Sequence, residues 1–163
     1  MNEIFIKPCE CSKNEINQFY AMIKKNENIN NIGLKKRIMK AKILIFHYEE
    51  EKLAGIGALK YPDPNYMKKV FKSAGVSHLY NSFKYEIGYL YVDNKYRKKG
   101  ISKSITENLL SFIDEDNIFA VVRSDNKFAK NNLYYYGFVK IGSKYIGKDN
   151  YFELFALFQD INK

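Results

Sequence analysis

The sequence predicts one α+β domain covering residues 1–163, built as a mixed, largely antiparallel sheet flanked by helices. Three observations carry that expectation. The chain has 163 residues, enough for a proper hydrophobic core and within the size of one domain. Its apolar residues switch between helical and strand spacing in the order strand, two helices, two strands, connector, strand, helix, strand, helix, two strands. No internal repeat, low-complexity segment or linker-like change of composition interrupts that order.

Each element follows from its own residues. Ile4 to Lys7 is a short first strand. Ser12-Lys-Asn-Glu15 reads as a capping box, the serine accepting from the backbone and the glutamate reaching back. Behind it Ile16, Phe19, Tyr20 and Ile23 recur at helical spacing, and a second short helix carries Leu34, Ile38 and Met39. Lys42 to Tyr48 is a strand, Glu49 to Lys52 a charged, solvated turn, and Leu53 to Leu59 the antiparallel partner. Tyr61-Pro-Asp-Pro-Asn65 breaks structure, and Tyr66, Met67, Val70 and Phe71 suggest a short amphipathic helix. That connector is long, and long ordered connections often line binding sites. Tyr85 to Val92 is the next strand. Ile101, Ile105, Leu109 and Phe112 give the following helix one apolar stripe, ending before Asp114-Glu-Asp116. Ile118 to Val122 is a continuous apolar run, as in a buried strand. Phe128 to Tyr136 forms a last helix stopped by Gly137, and two strands close the chain, Phe138 to Ile141 and Tyr151 to Phe158.

Composition narrows the function classes. No run approaches the ~18 apolar residues of a membrane helix, and the N-terminus shows neither a basic nor an apolar signal region. A cytoplasmic location without membrane partners is the expectation. Cys9 and Cys11 are too close for an unstrained bridge, and the two histidines, His47 and His78, lie in unrelated segments, so neither a disulfide framework nor a metal site is expected. His47, within a strand pattern, reads as a core or surface residue. The net charge of +9 keeps a nucleic-acid partner open without favouring it. Lys, Asn, Ile and Tyr are residues that AT-rich codons favour, and the basic residues are scattered apart from Lys35-Lys36-Arg37 and Arg97-Lys98-Lys99.

The second of those clusters carries most of the functional information. An apolar strand ends at Val92, a polar turn follows, and a basic loop containing Gly100 opens an amphipathic helix. Such a place gathers backbone N–H groups and the positive end of a helix dipole, and it binds phosphate oxygens. Glycine lets the backbone approach closely because it has no Cβ. The loop therefore suggests a diphosphate-bearing cofactor.

With its flanks, the loop resembles the GNAT superfamily of acetyl-CoA-dependent N-acetyltransferases. The family motif is Gln/Arg-x-x-Gly-x-Gly/Ala at the start of a helix after the fourth strand, and here it stands as Arg97-Lys98-Lys99-Gly100-Ile101-Ser102. Ser102 departs from Gly or Ala but is small. Further on, Asn126-Lys-Phe-Ala129 and Gly137-Phe138 resemble the family's Asn-x-x-Ala-x-x-x-Tyr-x-x-x-Gly-Phe signature. The resemblance is close from Glu86 to Gly142 and rests elsewhere on element order.

The resemblance implies a GNAT-like fold with a splayed strand pair holding the cofactor, and acetyl-CoA as acyl donor without a metal. It implies that Leu90, Tyr91 and Val92 offer main-chain hydrogen bonds to the pantetheine arm and thioester. Arg97, Lys98, Lys99, Gly100, Ile101 and Ser102 would cradle the pyrophosphate, and Asn126 would contact the cofactor arm. Glu86 stands in the register of the general-base glutamate of some protein-acetylating members; the competing reading is a strand-end cap at the surface. A tyrosine four residues before the Gly-Phe pair often protonates the departing thiolate, but that position is Leu133. One residue along a helix is a rotation of about 100°, so Tyr134 is favoured only slightly over Tyr136 as the acid. Arg123 reads as a structural ion-pair residue before a substrate contact.

The leading function is transfer of acetyl from acetyl-CoA to a primary amine by direct attack in a ternary complex, since no cysteine lies near the motif. Acetylation of a macromolecular acceptor, a ribosomal protein or an aminoacyl-tRNA, is the second reading, and a non-catalytic CoA-binding module the third. The chain is expected to act as a monomer or a homodimer.

Overall fold

The computed structural model describes residues 2–27 and 29–159. The elements run β1 (Asn2–Ile6), α1 (Lys13–Ile23), α2 (Leu34–Met39), β2 (Ala41–Glu49), β3 (Lys52–Lys60), α3 (Pro64–Ser73), β4 (Tyr85–Val92), α4 (Ile101–Leu110), β5 (Ile118–Arg123), α5 (Lys127–Tyr135), β6 (Val139–Ile146) and β7 (Tyr151–Leu157). This is an α+β fold with a seven-stranded, mostly antiparallel sheet flanked by helices. The chain forms two compact units, one of residues 1–60 and 87–112, the other of 61–86 and 113–163. Strand β4 begins in the second unit and continues into the first. None of the described helices is long and apolar enough to cross a membrane.

In the first unit the strand order is β1-β2-β3-β4, with β1, β2 and β3 antiparallel. Ser12 and Glu15 make the expected capping box, Glu15 N–H donating to Ser12 Oγ at 3.1 Å and Ser12 N–H to Glu15 Oε2 at 2.6 Å. The β2–β3 turn uses left-handed conformations at Glu50 and Glu51 (φ 47° and 65°), the sense that matches the twist of paired strands. The core gathers Phe19, Ile23, Leu34, Ile38, Leu44 and Phe46. Helix α4 lies against β3 because β3 offers no side chain at Gly57. A Cβ there would sit 2.5 Å from Ile105 Cγ2.

In the second unit the order is β4-β5-β7-β6. Strands β4 and β5 are parallel, registered at Tyr85↔Ile118 and Glu86↔Phe119, whereas β7 is antiparallel to both β5 and β6. Phe71, Phe83, Phe119, Leu154 and Ala156 fill the core. Asp63 and Pro64 explain where α3 starts. The Asp63 carboxylate accepts from the N–H groups of Asn65 and Tyr66, both at 3.0 Å, and Pro64 takes a first-turn position where its missing N–H costs nothing.

One strand is longer than the sequence suggests. The apolar pattern breaks at Gly142-Ser-Lys144, which ends the expected strand at Ile141, yet β6 continues to Ile146. Its register against β7 shifts between Ile141 and Tyr145, so the three residues are absorbed as an irregularity and pairing resumes.

Candidate active site

The first unit carries the basic loop at the start of α4. Strand β4 carries Tyr89 in a left-handed conformation (φ 54°), a costly one for a bulky residue. Tertiary contacts hold it there. The Tyr89 ring is buried, meets Phe19 edge-on at 6.2 Å, and carries the Lys60 ammonium 4.6 Å from its centroid. Leu90, Tyr91 and Val92 follow, each partly buried. Asp93 N–H then donates to Ala54 O at 2.9 Å. The Asp93 carboxylate receives Lys25 Nζ at 2.6 Å and Lys95 N–H at 3.1 Å. The Lys25 hydrogen bond, then that of the Lys95 amide, holds its carboxyl below the usual range.

Beyond this anchor the loop turns back on the strand. Arg97 Nε donates to the Val92 carbonyl at 3.2 Å, and its guanidinium lies 5.9 Å from the centre of the Tyr91 ring. The Arg97 side chain thus shapes the loop as well as adding charge. Lys98 and Gly100 are both left-handed (φ 65° and 79°). Helix α4 opens with Gly100 at its N-cap and no capping side chain. A Cβ on Gly100 would meet nothing within 4 Å, so the space over the helix start is open. Ser104 N–H makes the first helical bond, to Gly100 O at 3.0 Å, and Ile101 is buried as the helix's anchor. Ser102 sits in the first turn, its carbonyl accepting from Thr106 Oγ1 at 2.8 Å. An uncapped helix start, a left-handed loop and the lysines 98 and 99 fit a diphosphate.

The second unit supplies a buried carboxylate. Glu86 is only 4% exposed, which removes the reading of a surface strand cap. Its Oε1 accepts from the Tyr66 hydroxyl at 3.1 Å, a donor brought from the first turn of α3. Tyr145 belongs to the same neighbourhood. Burial first, and then the Glu86 charge, push its phenol up to about 12. The irregularity of β6 sets where Tyr145 lies. Gly142 is left-handed (φ 66°) and Ser143 N–H donates to Ala74 O at 2.8 Å, fastening the strand to the end of α3.

Both Tyr66 and Tyr145 were missed in the sequence. Tyr66 joins an apolar helical stripe and reads as core, and Tyr145 lies beyond the break that hid the rest of β6. The expected signal was only the length of the 61–82 connector.

Tyr145 carries a pH prediction. The charged phenolate is the disfavoured form, so the hydroxyl stays neutral through physiological pH. The stability this contributes is present below about 10, the ordinary tyrosine value, and is lost as pH rises through about 12. In an ultraviolet titration, Tyr145→Phe is expected to remove a late tyrosine step near pH 12.

Other residues singled out by sequence have defined surroundings. Asn126 is the N-cap of α5, its Oδ1 accepting from Ala129 N–H at 3.0 Å. Leu133 is buried, and the Tyr134 ring meets Phe155 edge-on at 5.3 Å. Arg123 forms an ion pair with Asp125, as expected of a structural residue. His47 is fully buried. Cys9 and Cys11 are free thiols, and burial, helped by Glu15, raises the Cys11 thiol to about 11, away from a nucleophilic thiolate. Among the described residues no group of three or more His, Cys, Asp or Glu side chains could hold a metal.

The sequence matches the family described as the Acetyltransferase (GNAT) domain over residues 9–151. Solved structures of similar fold include an acyl-CoA N-acyltransferase from Pseudomonas aeruginosa, 10% identical, with a TM-score of 0.71 over 95% of this chain and 97% of that one. A GNAT-family acetyltransferase from Streptococcus agalactiae is 13% identical, with a TM-score of 0.70 over 97% and 96%. Arabidopsis thaliana NAA60, in complex with acetyl-CoA, is 14% identical, with a TM-score of 0.67 over 96% and 99%. No curated protein matches the sequence.

Proposed function

Since the chain belongs to the GNAT acetyltransferase family and is thereby an acyl-CoA-dependent acetyltransferase, we propose that it moves acetyl from acetyl-CoA to a primary amine by direct attack in a ternary complex. The observation that carries this reading is Glu86, a carboxylate buried in the second unit and oriented by the Tyr66 hydroxyl. An alkylamine has a pKa of about 10.4 and arrives as ammonium, so a base must take its proton before nitrogen can attack. Glu86 is that base, directly or through one water.

Bound acetyl-CoA supplies the thioester carbonyl, where the carbon–nitrogen bond forms as the carbon–sulfur bond breaks. Arg97 to Ser102 hold the pyrophosphate, chiefly through backbone N–H groups, and the β4 residues Leu90 to Val92 offer main-chain groups to the pantetheine arm. Asn126 contacts that arm while capping α5. Tyr134 gives a proton to the leaving sulfur and is restored, through solvent, by the second proton that the nitrogen sheds as it becomes an amide. A thiol with a pKa of about 8.5 leaves fairly well unaided, so this step tolerates the leucine at position 133.

The test is a thiol-release assay with acetyl-CoA across alkylamines, amino acids and peptides. Release dependent on one acceptor class, with the acetylated amine found by mass spectrometry, is the expected result. CoA binding without turnover on any acceptor would favour a non-catalytic module. The net charge of +9 favours a second reading, a polyanionic macromolecular acceptor such as an aminoacyl-tRNA. Binding of that acceptor would then weaken steeply with added salt.

A further inference from the structure

A polar circuit in the first unit, centred on the buried His47, ties helix α4 to the loop that opens it. Glu3 on β1 is its hub. Its Oε1 accepts from Ser104 Oγ at 2.6 Å and lies 2.6 Å from His47 Nδ1. Its Oε2 accepts from Asn108 Nδ2. Ser104 and Asn108 are one turn apart, so one carboxylate grips two successive turns of the same helix face. The other ring nitrogen of His47 lies 3.1 Å from Glu49 Oε1, and Glu49 Oε2 lies 3.9 Å from Lys99 Nζ in the basic loop. The contacts leave α4, cross β1 and β2, and return just ahead of the helix start. The His47 bond holds the Glu49 carboxyl below its ordinary range, with the Lys99 charge adding to it.

Adhesion alone does not require this. Ile101, Ile105 and Leu109 already bury α4, and a fully buried imidazole beside a nearly buried carboxylate carries a desolvation cost that apolar residues would avoid. A satisfied polar network adds direction, because it accepts one rotation and one height of the helix. The group that needs such accuracy is the set of N–H donors at the start of α4.

We propose that Glu3, His47 and Glu49 are positioning residues that set the height and rotation of α4, and the place of Lys99, so that the loop from Arg97 to Ser102 is preformed for a diphosphate. The proposal rests on the reading of that loop as the CoA pyrophosphate site. It assigns the glutamates of β1 and of the β2 end a part in donor affinity, although neither is in the cradle.

The first variant is Ser104→Ala with Asn108→Ala, which releases α4 from Glu3, leaves the cradle sequence intact and suits a helix. The second is His47→Gln, which cuts the circuit at its centre. For each, calorimetry with CoA, steady-state kinetics in acetyl-CoA and hydrogen exchange of residues 97–104 without ligand are compared with the parent. The expected result for the double variant is a rise of about tenfold in the CoA Kd and the acetyl-CoA KM, with kcat moving far less. Exchange in the loop quickens in both variants. An unchanged Kd and unchanged exchange, with only a lower Tm, would overturn the proposal. If the parent itself binds no CoA, the reading of the loop fails, and the exchange measurement still decides whether the circuit orders it.

Discussion

Glu86→Gln is expected to lower kcat/KM for the amine acceptor by about 10²–10⁴-fold while leaving the Kd for CoA within a small factor of the parent. The amide keeps the size of the carboxylate and can still accept from Tyr66, so the substitution chiefly removes a proton acceptor. The pH dependence separates this from general damage. Only neutral amine attacks, and below an amine pKa of about 10.4 each unit of pH removes about tenfold of that form. Without the base, the residual rate is therefore expected to climb steadily with pH through the alkaline range. The parent, with Glu86 taking the proton, is expected to show a shallower dependence. Stopped thiol-release assays across pH, with calorimetry for CoA, provide the measurement. Parent-like kcat/KM in the variant would exclude Glu86 as the base.

Gly142→Ala is expected to be the most damaging small substitution in the second unit. The residue is left-handed (φ 66°), and a Cβ would lie 2.2 Å from the Ala74 carbonyl oxygen, a backbone atom that cannot rotate away. Left-handed backbone costs an L-residue roughly 1–2 kcal/mol, and overpacking typically adds about 1–3 kcal/mol. A loss of about 2–5 kcal/mol follows, read as a lower denaturant midpoint at a similar slope. Because Ser143 hangs from the same carbonyl and Tyr145 follows, the surviving folded protein is also expected to lose activity. A variant as stable as the parent would show that the β6 irregularity yields to the methyl group.

These two sites mark how far the sequence was legible. The loop from Arg97 to Ser102 could be read as an anion site because its chemistry is written locally, in a glycine and a run of cations, whereas Glu86 was singled out only through its register in the family resemblance. The elements themselves were legible where periodicity was clean, as in the Ser12 capping box or the apolar stripe of α4. Tyr66 and Tyr145 were not, because each acquires meaning only by meeting a residue far away in sequence. The left-handed Tyr89 was hidden for a related reason. No residue type announces that conformation, and the contacts from Phe19 and Lys60 that sustain it come from other elements. His47 shows the same limit, since a strand pattern leaves it a core or surface residue and does not name the two carboxylates that meet its ring nitrogens.

The division of the chain bears on how the protein can be made. Each compact unit is assembled from two separated stretches, 1–60 with 87–112 and 61–86 with 113–163. On a ribosome the first unit has all its residues once position 112 has emerged. The stretch from Tyr61 to Glu86 must then wait, with Phe71 and Phe83 lacking Phe119, Leu154 and Ala156 to cover them. Waiting apolar surface of this kind is what chaperones recognise and what aggregates when synthesis stalls. The segment bearing Tyr66 and Glu86 therefore settles only together with residues 113–163, and no single cut in the chain yields two self-sufficient halves.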